Sequence, residues 1–265
     1  MCIRKSVGLH GQNDIEDVMT VQVLINLNLE RFPNLIPAPL STDGRIGPNT
    51  LKAIAAFEMG VMGLPSSDSV IAPGDATVKA MLAGLPSGPT KEKLSVAMPQ
   101  ATRARIDLYF DGLVAGMRRH EITSPLRIAH FIAQIAHESG CFLYAEELAS
   151  GDAYNGRTDL GNLQANDGPR FKGRGLIQLT GRNNYTRYSN DSGHGREYVD
   201  HPERIAEDPA LAVDVACWFW NENGLNELAD HDDLKGVTRR INGGYNGLDK
   251  RNDFLFRAKA VLGLV

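Results

Sequence analysis

A mainly α-helical protein is what this sequence predicts: a small three-helix unit first, a larger helical domain second, and one short β-hairpin element within the latter. Apolar residues recur at three- and four-residue spacing through most of the chain, the mark of amphipathic helices. Several of these stretches open with a capping side chain or a proline. A polar, proline-broken stretch at residues 86–93 interrupts them, as a linker does. The 265 residues suffice for two cores of unequal size. The expected division is therefore 1–85, a linker at 86–93, and 94–265.

Each element has its own signal. Val18, Val21, Leu24, Ile25 and Leu29 share one helix face after Asp14, a suitable cap. Residues 33–48 are rich in turn formers, including Asp43-Gly44 and Gly47-Pro48. Residues 50–57 give a second helix through Leu51, Ile54, Ala55 and Phe57, and residues 75–82 a third. In the second domain Ile106, Tyr109, Phe110, Leu113 and Met117 form one stripe. Ser124-Pro125 supplies cap and first-turn proline for a helix that runs to Glu138. Residues 154–174, rich in Gly, Asn and Asp, predict a loop. Residues 209–221 predict a buried helix whose Trp218 and Trp220 belong to the core.

Composition narrows the function. A hydrophobic fraction of 42%, a charged fraction of 23% and a net charge of −4 give no reason to expect nucleic acid or an anionic membrane as partner. Cys2, Cys141 and Cys217 are few and odd in number, which argues against a disulfide scaffold, and Cys141 and Cys217, in apolar stretches, are expected to be buried free thiols. No run approaches the roughly 18 apolar residues of a membrane span, and the N-terminal residues lack the apolar centre of a signal peptide. Folding in a cytosol, without stable membrane insertion, is the expectation.

The chemistry centres on Glu138, at the close of an apolar helix. Phe131, Gln134 and Ile135 lie one and two turns earlier on its face. Partial desolvation there disfavours the anion, as a general acid requires. Glu147 lies beside Glu146 next to a polar loop and is expected to stay ionised. Two carboxyls in contrasting surroundings suit acid/base hydrolysis of a glycosidic bond. Downstream, period-two alternation sends Ile177 and Leu179 to one side of an extended segment, Gln178 and Thr180 to the other. Gln178 and Thr180 can then bind a water or a sugar hydroxyl, with Asn184 and Tyr185 within reach. His137-Glu138 opens like a zinc-protease motif, but the fifth position is Cys141, not His. No metal and no cofactor are expected.

His137-Glu138-Ser139-Gly140, the acidic residue nine positions after Glu138, the run GRGLIQLTGRNNY (173–185) and Ile241-Asn242-Gly243-Gly244 together resemble glycoside hydrolase family 19. The resemblance implies a lysozyme-like helical fold and hydrolysis of β-1,4 links with inversion. It makes Glu138 the acid, Glu147 the base, and Thr180 a holder of the nucleophilic water. It places Gln178 and Asn184 on the sugar, and makes Asn242 and Arg251 a polar pair contacting substrate or the base. Glu146 remains the alternative base.

The run DGRIGPNT (43–50), set between two amphipathic helices, resembles the peptidoglycan-binding three-helix domain of bacterial and phage wall hydrolases. The glycines permit left-handed turns and Pro48 opens the following helix. Both resemblances together imply a modular phage endolysin, monomeric, with bacterial peptidoglycan as partner. It would be made in host cytoplasm and act in the periplasm and wall after holin-mediated release. A chitinase acting on GlcNAc polymers, or a zinc-dependent wall amidase or endopeptidase, are the alternatives.

Overall fold

A computed structural model, described for every residue except 34, 35, 37 and 265, divides into two compact units. One comprises Met1–Thr102 with the stretch from Asp253 onward, the other Arg103–Asn252. The turn-rich reading of 33–48 falls outside the described residues at 34, 35 and 37.

In the first unit β1 (Val7–Gly8) precedes α1 (Ile15–Leu27), whose first turn is capped by the Asp14 carboxylate. Val18, Val21, Leu24 and Ile25 are buried, as the helical spacing requires. α2 (Pro48–Gly60) starts on its proline, and β2 (Val70–Ile71) pairs antiparallel with β1, Val7 opposite Ile71. α3 (Ala76–Ala83) follows the Asp75 cap. The DGRIGPNT run wraps around a buried amide. Gln22 on α1 donates to Asp43, to the Arg45 carbonyl and to Thr50, and accepts from the Gly44 N–H. The N–H of Arg45 and the Gln22 amide hold the Asp43 carboxyl below its ordinary range. Gly44 is left-handed at φ +72°, but Gly47 is extended and opens α2, so only one of the two expected left-handed glycines occurs.

α4 (Lys91–Ala97) begins inside the stretch expected as linker. Thr90 caps it through the Lys93 N–H, and Leu94, Val96 and Ala97 directly beyond are buried. A cap followed by apolar residues outweighs the prolines that precede it. The compact units accordingly part at Thr102, not at residue 85.

The second unit contains α5 (Arg103–Arg119), α6 (Pro125–Glu138), α7 (Asp167–Arg170), α8 (Arg182–Asp191), α9 (Glu197–Asp200), α10 (Arg204–Glu207), α11 (Pro209–Glu222), α12 (Leu225–Asp230) and α13 (Leu234–Asn242). α14 (Leu248–Val261) contributes residues to both units. α5 packs along α11, and α6 meets α12 and α13. Phe131 of α6 meets Trp220 of α11 edge to face at 5.3 Å, inside the core. Trp218 is buried as well, and the three cysteines are buried and lie outside any disulfide. Among the described residues no helix is long and apolar enough to cross a membrane. The hairpin element consists of two bridges, Glu146 with Arg174 and Arg174 with Leu179. The mainly helical class with a small β element is therefore what the chain adopts.

Candidate active site

Ser124 caps α6 through the Arg127 N–H and Pro125 sits in its first turn, so the helix is fixed at its start. It ends at Glu138, with Phe131 and Ile135 fully buried on the face below. The Glu138 side chain is 18% exposed. Its partner is not the apolar wall expected from helix geometry. Arg251, from α14, donates one guanidinium nitrogen to Glu138 Oε1 and another to Gln134 Oε1, one turn back on α6. Its Nε donates to the Asn246 carbonyl at 3.2 Å. Arg251 is essentially fully buried, so three acceptors fix its fork in place. This corrects the role implied for Arg251: it grips the expected acid, not the expected base. Asn242, its supposed companion, is exposed at the end of α13.

His137 lies against Gly247, whose φ is +71°. A Cβ at that position would overlap the imidazole. Burial, with Arg251 and Lys250 nearby, pushes the His137 pKa down to about 4, so the ring is neutral at pH 7.

A turn joins the two carboxyls: the N–H groups of Leu143 and Tyr144 both donate to the Ser139 carbonyl. Beyond it, Glu147 is pinned to the 172–173 segment. Its N–H donates to the Gly173 carbonyl at 2.9 Å, and Lys172 Nζ donates to its carbonyl at 3.1 Å. The carboxylate accepts from the Gly173 N–H at Oε2, 3.1 Å, and from the Tyr154 hydroxyl at Oε1, 3.0 Å. Glu146 is engaged otherwise. Arg174 Nε lies 2.9 Å and Lys172 Nζ 3.5 Å from its Oε1.

Residues 174–179 form a closed turn, not the extended segment expected. The Arg174 and Leu179 N–H groups exchange bonds at 3.1 and 2.8 Å, and Gln178 N–H donates to the Gly175 carbonyl. Gly175 and Gln178 both have positive φ, +76° and +56°, which a strand does not contain. The sidedness survives because the turn still buries Ile177 and Leu179 and leaves Gln178 and Thr180 partly exposed. A Cβ on Gly173 would lie 2.9 Å from Gln178 Oε1 and 3.4 Å from Glu147 Oε2. Gly173 therefore lets Gln178 and Glu147 share one corner. The Thr180 hydroxyl donates to the Gln178 carbonyl at 2.9 Å, so toward a water it can only accept. Asn184 Nδ2 donates to the Thr180 carbonyl at 2.8 Å, leaving its oxygen to accept.

Tyr185 requires a correction. It is fully buried and its hydroxyl donates to the Lys172 carbonyl and accepts from Arg174, so it supports the floor and cannot meet a sugar. An apolar ring at helix position four packs inward, against Phe171 at 5.2 Å.

The structure thus assembles two clusters, Glu138 with Arg251 and Gln134, and Glu147 with Gly173, Gln178 and Tyr154. Sequence reasoning missed Tyr154 entirely, for it sits in a Gly-rich stretch without periodicity. Gln134 was visible on the Glu138 face but not as a partner of Arg251. Among the described residues no group of three or more His, Cys, Asp or Glu side chains is arranged to hold a metal ion. Glu147 retains unoccupied lone pairs beside its two donors, so it can take a proton from a water.

Comparison with known proteins agrees with this chemistry. The family profile described as "Chitinase class I" matches residues 115–240. A glycosyl hydrolase family 19 domain-containing protein of Haemophilus influenzae is 31% identical over 183 residues, covering 57% of this chain and 88% of that protein. An endochitinase of Arabidopsis thaliana is 37% identical over 117 residues, 44% of this chain and only 39% of the plant protein. Chitinase C from Streptomyces griseus superposes with a TM-score of 0.55 at 21% identity, over 66% of this chain and 92% of that one, a likeness of fold. By these matches the chain belongs to glycosyl hydrolase family 19, and it is a glycosidase.

Proposed function

We propose that the chain hydrolyses β-1,4 links of bacterial peptidoglycan with inversion, as an endolysin with muramidase activity. The observation that carries the reading is the contrast at the acidic pair. Glu146 is bound by Arg174 and Lys172, whereas the donors to the Glu147 carboxylate among the described residues are both neutral. Glu147 is the base that accepts a proton from the attacking water. Glu138, steadied at Oε1 by Arg251, gives its proton through Oε2 to the departing sugar oxygen. The water oxygen bonds to the anomeric carbon as the glycosidic C–O bond breaks, and solvent exchange restores both carboxyls. Thr180 accepts from the water, while Gln178, Asn184 and the exposed Asn242 line the glycan.

Peptidoglycan is preferred to chitin because of the N-terminal unit. Its DGRIGPNT run, braced by Gln22, borders a cleft of about 380 Å3 carrying Asp43, Arg45, Asn49 and Lys52, polar groups suited to wall peptides. In this reading the protein is monomeric, is made in host cytoplasm, and reaches the wall through a holin. Chitinase activity is the second reading, favoured by the relatives named endochitinase.

Mass spectrometry of purified peptidoglycan after digestion decides between them. Muropeptides ending in reducing N-acetylmuramic acid are expected, with slower release from soluble chitin oligomers. Intact glycan strands beside rapid chitin cleavage would replace the peptidoglycan reading with the chitinase one.

A further inference from the structure

Tyr154 has no part in the function derived so far, yet its hydroxyl is one of only two donors recorded on the Glu147 carboxylate among the described residues. We infer that Tyr154 is the positioning residue of the base, an inference that rests on the assignment of Glu147 to that role. The backbone of Glu147 is fixed at both its N–H and its carbonyl by residues 172 and 173. The terminal torsion of a glutamate is broad and roughly two-fold, so a fixed backbone and one donor leave the carboxylate plane loosely set. Gly173 N–H holds Oε2, and the phenol of Tyr154 holds Oε1. Two donors on two oxygens define the plane and thereby aim the remaining lone pairs.

The phenol is itself held. The Tyr154 N–H donates to the Gly151 carbonyl at 2.9 Å, and its carbonyl accepts from Asn162 Nδ2 at 3.0 Å. Asn162 is fully buried and its oxygen accepts the Arg182 N–H at 2.8 Å, tying the Tyr154 loop to the start of α8, where Asn184 sits. Partial burial and the neighbouring Glu147 raise the pKa of Tyr154, with Arg157 opposing, so the phenol keeps its proton and stays a donor at neutral pH. The other charged groups facing this corner are Lys172, Glu146 and Arg174, and both cations pair with Glu146 rather than with the Glu147 carboxylate.

The test uses the full chain with Tyr154→Phe, assayed on solubilised glycan strands across pH, beside Glu147→Gln and a thermal melt of each. Tyr154→Phe is expected to lower kcat about tenfold with KM within about twofold, because aim and not sugar contact is lost. The acidic limb of its kcat/KM profile should move to higher pH by about half a unit, since a donor to the charged carboxylate has gone. A purely structural phenol would leave that limb in place. Wild-type kcat and an unmoved limb in Tyr154→Phe, with Glu147→Gln inactive, would overturn the inference alone. An active Glu147→Gln would instead overturn the assignment of the base on which it rests. Should Tyr154→Phe not fold, Asn162→Ala loosens the same loop while keeping the phenol. It is expected to move the limb in the same direction with about a threefold loss of kcat, and an unmoved limb there counts against the inference.

Discussion

Glu138 and Glu147 are nine positions apart in the chain and are held by opposite means. Glu138 ends a helix and is gripped by the side chain of Arg251, 113 positions later. Glu147 lies in a loop and is gripped by a backbone N–H and a phenol, 26 and seven positions away. One carboxyl depends on charge delivered by a remote helix, the other on the shape of its own loop. The difference teaches that the helical site is sensitive to long-range packing, whereas the loop site is sensitive to local hydrogen bonds.

Removing the remote charge is the harshest way to break this contrast. Arg251→Met should lower kcat about 100-fold, because Glu138 loses the contact that aims it. It should also cost about 3 kcal/mol in stability, since Gln134 and Glu138 lose a buried partner together. Urea unfolding and steady-state kinetics measure the two effects. The Glu147 corner contains no contact to Arg251, so the acidic limb of the pH profile should stay where it is in this variant.

A smaller effect sharpens the same comparison through His137. Its pKa of about 4 in the folded chain lies below the ordinary 6.5. The unfolded chain then binds more protons between those values, so this residue stabilises the fold above pH 6.5. That contribution is lost progressively as pH falls toward 4. The melting temperature should therefore drop over this window, and His137→Gln should flatten the drop. No equivalent titrating histidine adjoins Glu147 among the described contacts, so the acid-labile part of the site is the Glu138 side.

Much of this arrangement is legible in the chain before folding is considered. Asp14, Asp75 and Ser124 announce their helices because capping is local chemistry. The exposure of Gln178 and Thr180 against buried Ile177 and Leu179 follows from alternation, although the backbone that delivers it is a turn. Two positive-φ residues produce the same sidedness as a strand, and periodicity does not separate the two. Helix α4 is hidden because prolines and charges mask a cap whose apolar residues lie just past the expected boundary. Tyr185 misleads for a related reason: a tyrosine in a polar run suggests a sugar platform until the helix face is known. Arg251 and Tyr154 illustrate the remainder. Their partners are set by tertiary packing and by loop closure, which spacing in the chain does not encode.

The central claim is that Glu147 and not its neighbour carries the base, because Arg174 and Lys172 already occupy Glu146. Glu147→Gln and Glu146→Gln, assayed side by side on peptidoglycan for release of reducing sugar, test it most directly. The account predicts a loss of about 10³-fold for Glu147→Gln and less than about fivefold for Glu146→Gln. The reverse ranking, or equal losses in the two variants, would contradict it.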